Sequence, residues 1–118
     1  MAIPDLETIM KPLLEFLSDG KPHAIVDAEK HLAKIFGLTE EEKKRAKPSG
    51  GEALFHNRIH WAKFYLKKAG LVESPSRKPF KITPRGATVL KEGKNKISIT
   101  YLKKFQEFSN FVDRKKDA

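Results

Sequence analysis

The chain has no cysteine among its 118 residues, and this absence excludes several kinds of site. Without thiols there is no disulfide framework, no thiolate zinc centre and no cysteine nucleophile. Long apolar stretches are missing too: no hydrophobic run exceeds four residues, far short of a membrane span. The first residues, Met-Ala-Ile-Pro-Asp, lack the basic and apolar regions of a secretory signal. We therefore expect a cytoplasmic protein with no membrane partner.

Acidic residues are scarce in the larger, C-terminal part of the chain. Residues 43–118 carry 20 basic and 6 acidic side chains, a net charge of +14, whereas residues 1–42 carry 4 basic and 9 acidic ones, a net charge of −5. The two parts together give the overall +9. An excess this one-sided predicts a polyanionic partner, nucleic acid above all. A lysine-rich, solvated surface is the alternative interpretation.

Hydrophobic periodicity predicts helices at 5–18, 26–36 and 52–69, and a last amphipathic helix that begins at Thr100. Asp5, Thr39 and Thr83 are the expected N-caps, Thr39 opening a short helix with Glu42 three residues on. The inward-facing residues expected are Ile9, Leu13, Phe16 and Leu17 in the first helix; Ile25, Ala28, Leu32, Ile35 and Phe36 around the second; Phe55, Ile59, Ala62, Leu66 and Ala69 in the third; and Tyr101, Phe105, Phe108 and Val112 in the last.

The third long helix is followed at once by a predicted β-hairpin. Residues 71–74 and 80–82 read as two short strands, and the turn between them carries Arg77 and Lys78. This order of elements predicts a winged helix-turn-helix, a mainly α fold with one small hairpin. In such a fold the helix enters the major groove of DNA and the hairpin tip reaches the backbone. A protein-binding module of the same fold is the alternative.

Several sequence motifs resemble the N-terminal domain of Mrr-type restriction endonucleases, over roughly residues 2–112. The run from Asn57 to Leu71 is the most specific of them in combination. The motifs are Ile3-Pro4-Asp5, Met10 with Pro12-Leu13-Leu14, Leu38-Thr39-Glu40-Glu41-Glu42, Pro48-Ser49-Gly50, Asn57-Arg58, Trp61-Ala62, Tyr65-Leu66-Lys67-Lys68-Ala69-Gly70-Leu71, and Ile82-Thr83 with Gly86.

The resemblance implies a winged-helix domain that recognises modified, usually methylated, foreign DNA and is joined to a C-terminal nuclease domain. We accordingly expect a DNA-binding domain over 1–92, and a C-terminal helix and linker over 93–118. The family's nuclease motif, an acidic residue followed by a Gln-x-Lys-type triplet, is absent from this chain. The chain is therefore not expected to be an enzyme by itself.

No cofactor or metal ion is predicted. Glu52, His56 and His60 follow one another at intervals of four residues on one helix, so adjacent members are close enough to share a metal ion. The third is a full second turn away. No nucleophile triad, glycine-rich phosphate loop or paired-carboxylate site is recognisable.

The outward face of helix 52–69 carries the residues expected to read DNA. Asn57 offers the donor and acceptor that adenine recognition requires, and Phe64 either meets a base methyl group or is covered by another element. Trp61 either packs half-buried beneath the hairpin or stacks on a sugar or base. Arg58 binds either a phosphate or a carboxylate of the domain. The full set of candidate DNA-binding residues is Ser49, Asn57, Arg58, His60, Trp61, Phe64, Lys67, Lys68, Arg77 and Lys78.

Two other functions fit the same sequence. One is a stand-alone transcription regulator of winged-helix fold. The other is a protein-interaction module that forms a homodimer through the helix at 100–112. Residues downstream of this chain would separate the restriction system from the regulator, and salt-insensitive partner binding would indicate the interaction module.

Overall fold

The computed structural model describes residues 3–45, 53–76, 78–93 and 96–117, the last five by their backbone alone. Helices dominate, and one antiparallel hairpin interrupts them. In chain order the elements are α1 (Leu6–Phe16), α2 (Ile25–Ile35), α3 (Glu40–Lys44), α4 (Leu54–Lys68), β1 (Val72–Glu73), β2 (Lys81–Ile82), α5 (Pro84–Lys91), α6 (Ile99–Leu102) and α7 (Gln106–Asp117). None of the helices in these ranges has the length and hydropathy needed to cross a membrane.

The centre of the core is the contact between α1 and α4. All the residues expected to form the inner stripe of α4 are fully buried, which confirms the predicted period. They meet a matching stripe on α1, where Ile9, Met10, Leu13 and Leu14 are also fully buried. Removing one such side chain from water is worth about 1.5–3 kcal/mol, so this contact is a major source of stability.

Side-chain caps begin three of the helices at the predicted residues. The Asp5 carboxylate accepts from the Thr8 amide, and hydrogen bonding by Thr8, first through its side chain and then through this amide, lowers the pKa of Asp5. Thr39 and Glu42 form the expected reciprocal capping box. Thr83 accepts from the Gly86 amide at 3.1 Å and precedes a proline at the first helical position. Each cap satisfies backbone donors that the helix leaves unpaired, which is why the sequence locates these helix starts well.

The hairpin is anchored to the segment between α1 and α2. Val72 pairs with Ile82 and Glu73 with Lys81. The first strand is therefore one residue shorter at each end than the predicted 71–74, and the second begins one residue later than the predicted 80–82. One step further on, the amides of His23 and Phe80 each donate to the other's carbonyl at 2.9 Å. The predicted extended segment at 21–24 therefore pairs with the hairpin through one antiparallel β-bridge. With α4 directly before the hairpin, the fold is a winged helix-turn-helix.

Two predictions about individual elements are wrong. Ile35 was expected to face inward, but its side chain is 54% exposed because α2 ends there and the chain turns away at Gly37, where φ is +64°. The last helix was expected to be continuous from Thr100, but it divides into α6 and α7 at Lys103–Phe105. Tertiary hydrogen bonding fixes the first piece, since the Ile99 amide donates to the Glu7 carboxylate of α1 at 2.8 Å and Ser98 caps the turn.

Gly86 lies where α5 crosses the start of the hairpin. A Cβ atom at this position would stand 2.2 Å from the Leu71 carbonyl oxygen and 2.7 Å from Cγ1 of Ile82. The same carbonyl accepts from the Thr83 amide at 3.0 Å, so it is not free to move aside. Only glycine allows the helix this close to the strand.

We expect Gly86→Ala to lower the free energy of unfolding by at least about 2 kcal/mol, because an added methyl group must displace backbone. Gly20→Ala is the matched control: Gly20 has φ +78° but open space around it, so only backbone strain of about 1 kcal/mol is expected there. Urea unfolding of the two variants compares the costs. An equal loss in both would show that the α5–hairpin contact relaxes without cost.

Candidate nucleic-acid interface

The face of α4 opposite its buried stripe carries most of the candidate residues. His60, Trp61, Lys67 and Lys68 are exposed, while Asn57 and Phe64 are half-buried. Lys78 is exposed in the turn of the hairpin. Ser49 and Arg77 lie outside the described residues. The structure thus brings the helical candidates together on one face of α4, beside α2 and the hairpin.

Arg58 is committed to the domain's own backbone. Its Nη1 donates to the carbonyl oxygens of Ile3 and Pro4, both at 3.0 Å, and the side chain is half-buried. The guanidinium ties the residues before α1 to the side of α4. The partners of Arg58 in the structure are therefore backbone carbonyl oxygens, whereas the sequence suggested a phosphate or a carboxylate.

Two neighbouring histidines lie on α4, and one of them, His56, contacts α2. The rings of His56 and His60 meet edge to face, with centroids 4.4 Å apart. His56 Nδ1 also lies 3.0 Å from the Glu29 carboxylate of α2. This contact was missed by the sequence argument, which considered only Glu52 on the same helix. It holds His56 in place, so that His60 has a fixed neighbour while its own side chain remains exposed.

The aromatic side chains of α4 continue into α7. Trp61 meets Phe64 edge to face at 5.5 Å, and Phe64 meets Phe111 of α7 in the same way at 5.5 Å. Tyr65 contacts Phe108, which is fully buried. Phe64 is therefore covered by another element, one of the two roles considered for it. Trp61 is 41% exposed and is the largest apolar surface on this face.

The lysines of α4 fall into two environments. The Lys68 ammonium lies 5.3 Å from the ring centres of both Phe64 and Phe111, so it is held against α7. Lys63 lies on the other side, with its ammonium 4.8 Å from the ring centre of Phe80 in the hairpin. Burial, and secondarily the charge of Lys67, lower the pKa of Lys63. Cations thus border the helix on both the α7 side and the hairpin side.

A salt bridge, together with the ring contact between Phe64 and Phe111, fixes α7 beside this face. Arg85 of α5 donates to the Glu107 carboxylate at 2.6 Å and also to the Ala69 carbonyl at the end of α4. Phe111, Lys67, Lys68 and Phe64 surround an open groove next to Glu107. The second half of the outward face of α4 is thus shared with α7, whereas Asn57 and His60 lie in its first half.

Comparison with known proteins identifies the family of this domain. The model of the Mrr N-terminal domain matches residues 7–92, which is most of the chain. The chain belongs to this family. It is 33% identical over 87 residues to the type IV methyl-directed restriction enzyme EcoKMrr of Escherichia coli strain K12. The match covers 73% of this chain and 28% of that enzyme. No solved structure matches the chain.

The Mrr N-terminal domain match ends at residue 92, just after α5, and so leaves α6 and α7 outside. Both helices nevertheless contribute to the same core, since Leu102 and Phe108 are fully buried within it. The C-terminal part of the chain is thus packed onto the family domain.

We expect Arg58→Met to lower the free energy of unfolding by about 2 kcal/mol, because it removes two charge-assisted hydrogen bonds to backbone carbonyls. Lys68→Met on the same helix is the control and should change stability by less than about 1 kcal/mol. Thermal and urea unfolding measure both. Unchanged stability in Arg58→Met, together with weaker binding to DNA, would assign Arg58 to the interface instead.

Proposed function

We propose that this chain is the DNA-recognition domain of a restriction system directed at modified, methylated foreign DNA. The observation that carries the proposal is a winged helix of the Mrr N-terminal family whose exposed helix α4 lies beside a basic hairpin. The matched relative is by name a methyl-directed restriction enzyme. The excess of +14 over residues 43–118, which include α4 and the hairpin, supports a duplex DNA partner.

In the proposed complex the first half of α4 lies in the major groove. Asn57 and His60 are the base-reading residues, because they lie on the outward face of α4 in its first half, before the ring contact of Phe64 with Phe111. Trp61 adds an exposed aromatic surface beside them. Lys67, Lys68, Arg77 and Lys78 contact phosphates, and Ser49, which precedes the helix in the sequence, is a further candidate contact. Phe64 contributes to reading only through the edge that Phe111 leaves uncovered.

The parent protein is proposed to carry its nuclease in a separate domain, with residues 1–92 as the reading unit and 93–118 as the connection. The chain spans 28% of the length of its restriction-enzyme relative, so most of such a protein lies outside it. The chain itself is proposed to have no catalytic activity.

A homodimer through residues 100–112 is the weaker proposal for this region. Leu102 and Phe108, the two fully buried positions of the segment, are already packed against the chain's own core. A dimer would have to use the remaining half-buried side chains, such as Phe111 and Val112. Sedimentation would detect it directly.

We expect this chain to bind duplex DNA with a steep dependence on salt. If 4–6 phosphates are neutralised, log K should fall against log salt concentration with a slope of about −4 to −5. Fluorescence anisotropy at several salt concentrations, on methylated and unmethylated duplexes, measures the slope and the preference together. A flat response would exclude the electrostatic interface and favour a protein partner.

We expect Asn57→Ala and His60→Ala each to reduce the ratio of specific to non-specific DNA affinity. A bidentate base contact is worth about 1–3 kcal/mol, so the ratio should fall about 5-fold to 100-fold for Asn57→Ala. The free energy of unfolding should change by less than about 1 kcal/mol. The comparison requires a preferred duplex, selected from a random library, and an unrelated one.

Two exposed residues elsewhere serve as matched controls. Asn110→Ala on α7 and His31→Ala on α2 remove the same side-chain types from other surfaces. Both should keep the wild-type ratio. If Asn57→Ala and His60→Ala keep it as well, recognition lies elsewhere on the surface, and the loop around Ser49 becomes the next site to change.

A further inference from the structure

Lys63 of α4 reaches the base of the hairpin, where its ammonium faces Phe80, the residue just before β2. Its side chain is half-buried and its ammonium stands 4.8 Å from the centre of the Phe80 ring. Phe80 is fully buried, and its backbone is fixed by the pair of hydrogen bonds with His23. The ammonium therefore rests on a rigid support and not at the end of a freely rotating side chain.

Among the described residues, no carboxylate neutralises the charge of Lys63. Lys67 follows one turn later on the same helix, and its charge adds to burial in lowering the pKa of Lys63. Within the described part of the chain, no carboxylate lies within 4.0 Å of either ammonium, whereas four other lysine or arginine side chains have a carboxylate within that distance. Two neighbouring cations, one of them partly removed from water, make a site that an anion would stabilise.

The position of the pair determines which anion fits. The ring of Phe80 closes the site on the hairpin side, and the exposed Lys78 lies two residues away along the hairpin. A DNA backbone that passed from the hairpin tip towards α4 would bring one phosphate to the hairpin root. A phosphodiester also accepts hydrogen bonds from two separate donors, one on each non-bridging oxygen.

We propose that Lys63 and Lys67 hold one backbone phosphate of duplex DNA at the junction of α4 and the hairpin, with Lys63 as the positioning residue. This rests on the proposed function, because it assumes that the duplex lies along α4. Its consequence is geometric. A phosphate bound at this junction sets the depth and tilt of α4 in the groove, whatever the sequence being read.

The experiment uses the full chain and replaces Lys63 in three ways. Lys63→Met and Lys63→Gln remove the charge, and Met keeps the packing of the stem on Phe80. Both should weaken duplex binding about fivefold to tenfold at 0.1 M salt, equally on two unrelated duplexes, and reduce the magnitude of the salt slope by about 0.9. Lys63→Arg retains the charge and should restore both the affinity and the slope. Lys91→Gln, which removes an exposed lysine from α5, should change neither.

Several results would overturn the inference. One is wild-type affinity and slope in Lys63→Met, and another is a loss that Lys63→Arg fails to restore. A loss confined to one duplex would mean that Lys63 reads bases. Unfolding curves of each variant separate a folding defect from a binding defect, and a loss of binding that the unfolded fraction of Lys63→Met fully accounts for would assign Lys63 a purely structural role.

A second arm distinguishes DNA phosphate from free phosphate. Inorganic phosphate at the ionic strength of a matched chloride buffer should compete only weakly with DNA. Strong competition that Lys63→Met abolishes would identify a free-anion site instead. If the wild-type chain does not bind duplex DNA at all, the proposed function fails as a whole. If it binds and the Lys63 variants bind equally well, only the inference about this site fails.

Discussion

The contact between α1 and α4 determines where every other part of this domain can lie. The stripes on the two helices are fully buried, so their side chains cannot slide past one another without opening a cavity. Arg58 adds a polar link at one edge of the same contact by binding the carbonyls of Ile3 and Pro4. Since α4 is fixed in this way, its opposite face is presented in a constant orientation, which a reading surface requires.

The opposite face is divided between two uses. Its second half, around Phe64 and Lys68, receives Phe111 of α7, and its first half around Asn57 and His60 is left outward. The same helix therefore has two roles. Aromatic contacts in its second half hold the C-terminal part of the chain in place, and its first half presents polar side chains, of which His60 is exposed. An element outside the family match is thus seated directly against the helix proposed to read DNA.

Local chemistry explains what could be predicted from the sequence. Asp5, Thr39 and Thr83 mark helix starts because each bonds to a backbone amide within three residues, and the buried stripe of α4 follows from its period alone. The errors concern tertiary contacts. The break between α6 and α7 contains neither glycine nor proline, and the start of α6 is held by Glu7, 92 residues away from the amide that donates to it. The pairing of His56 with Glu29, and the support of Lys63 by Phe80, likewise join residues from separate elements.

The double hydrogen bond between His23 and Phe80 joins the hairpin to the segment that precedes α2, so any tilt of the hairpin tip would have its pivot at Phe80. Lys78 lies two residues beyond the pivot, a distance of about 7 Å along an extended strand. A rotation of about 10° at the pivot would move that lysine by roughly 1 Å, enough to break a hydrogen bond of ordinary length. The spacing between α4 and the hairpin tip therefore depends on the bridge between His23 and Phe80, and a change in the α1–α2 connection would move the tip relative to the helix proposed to read DNA.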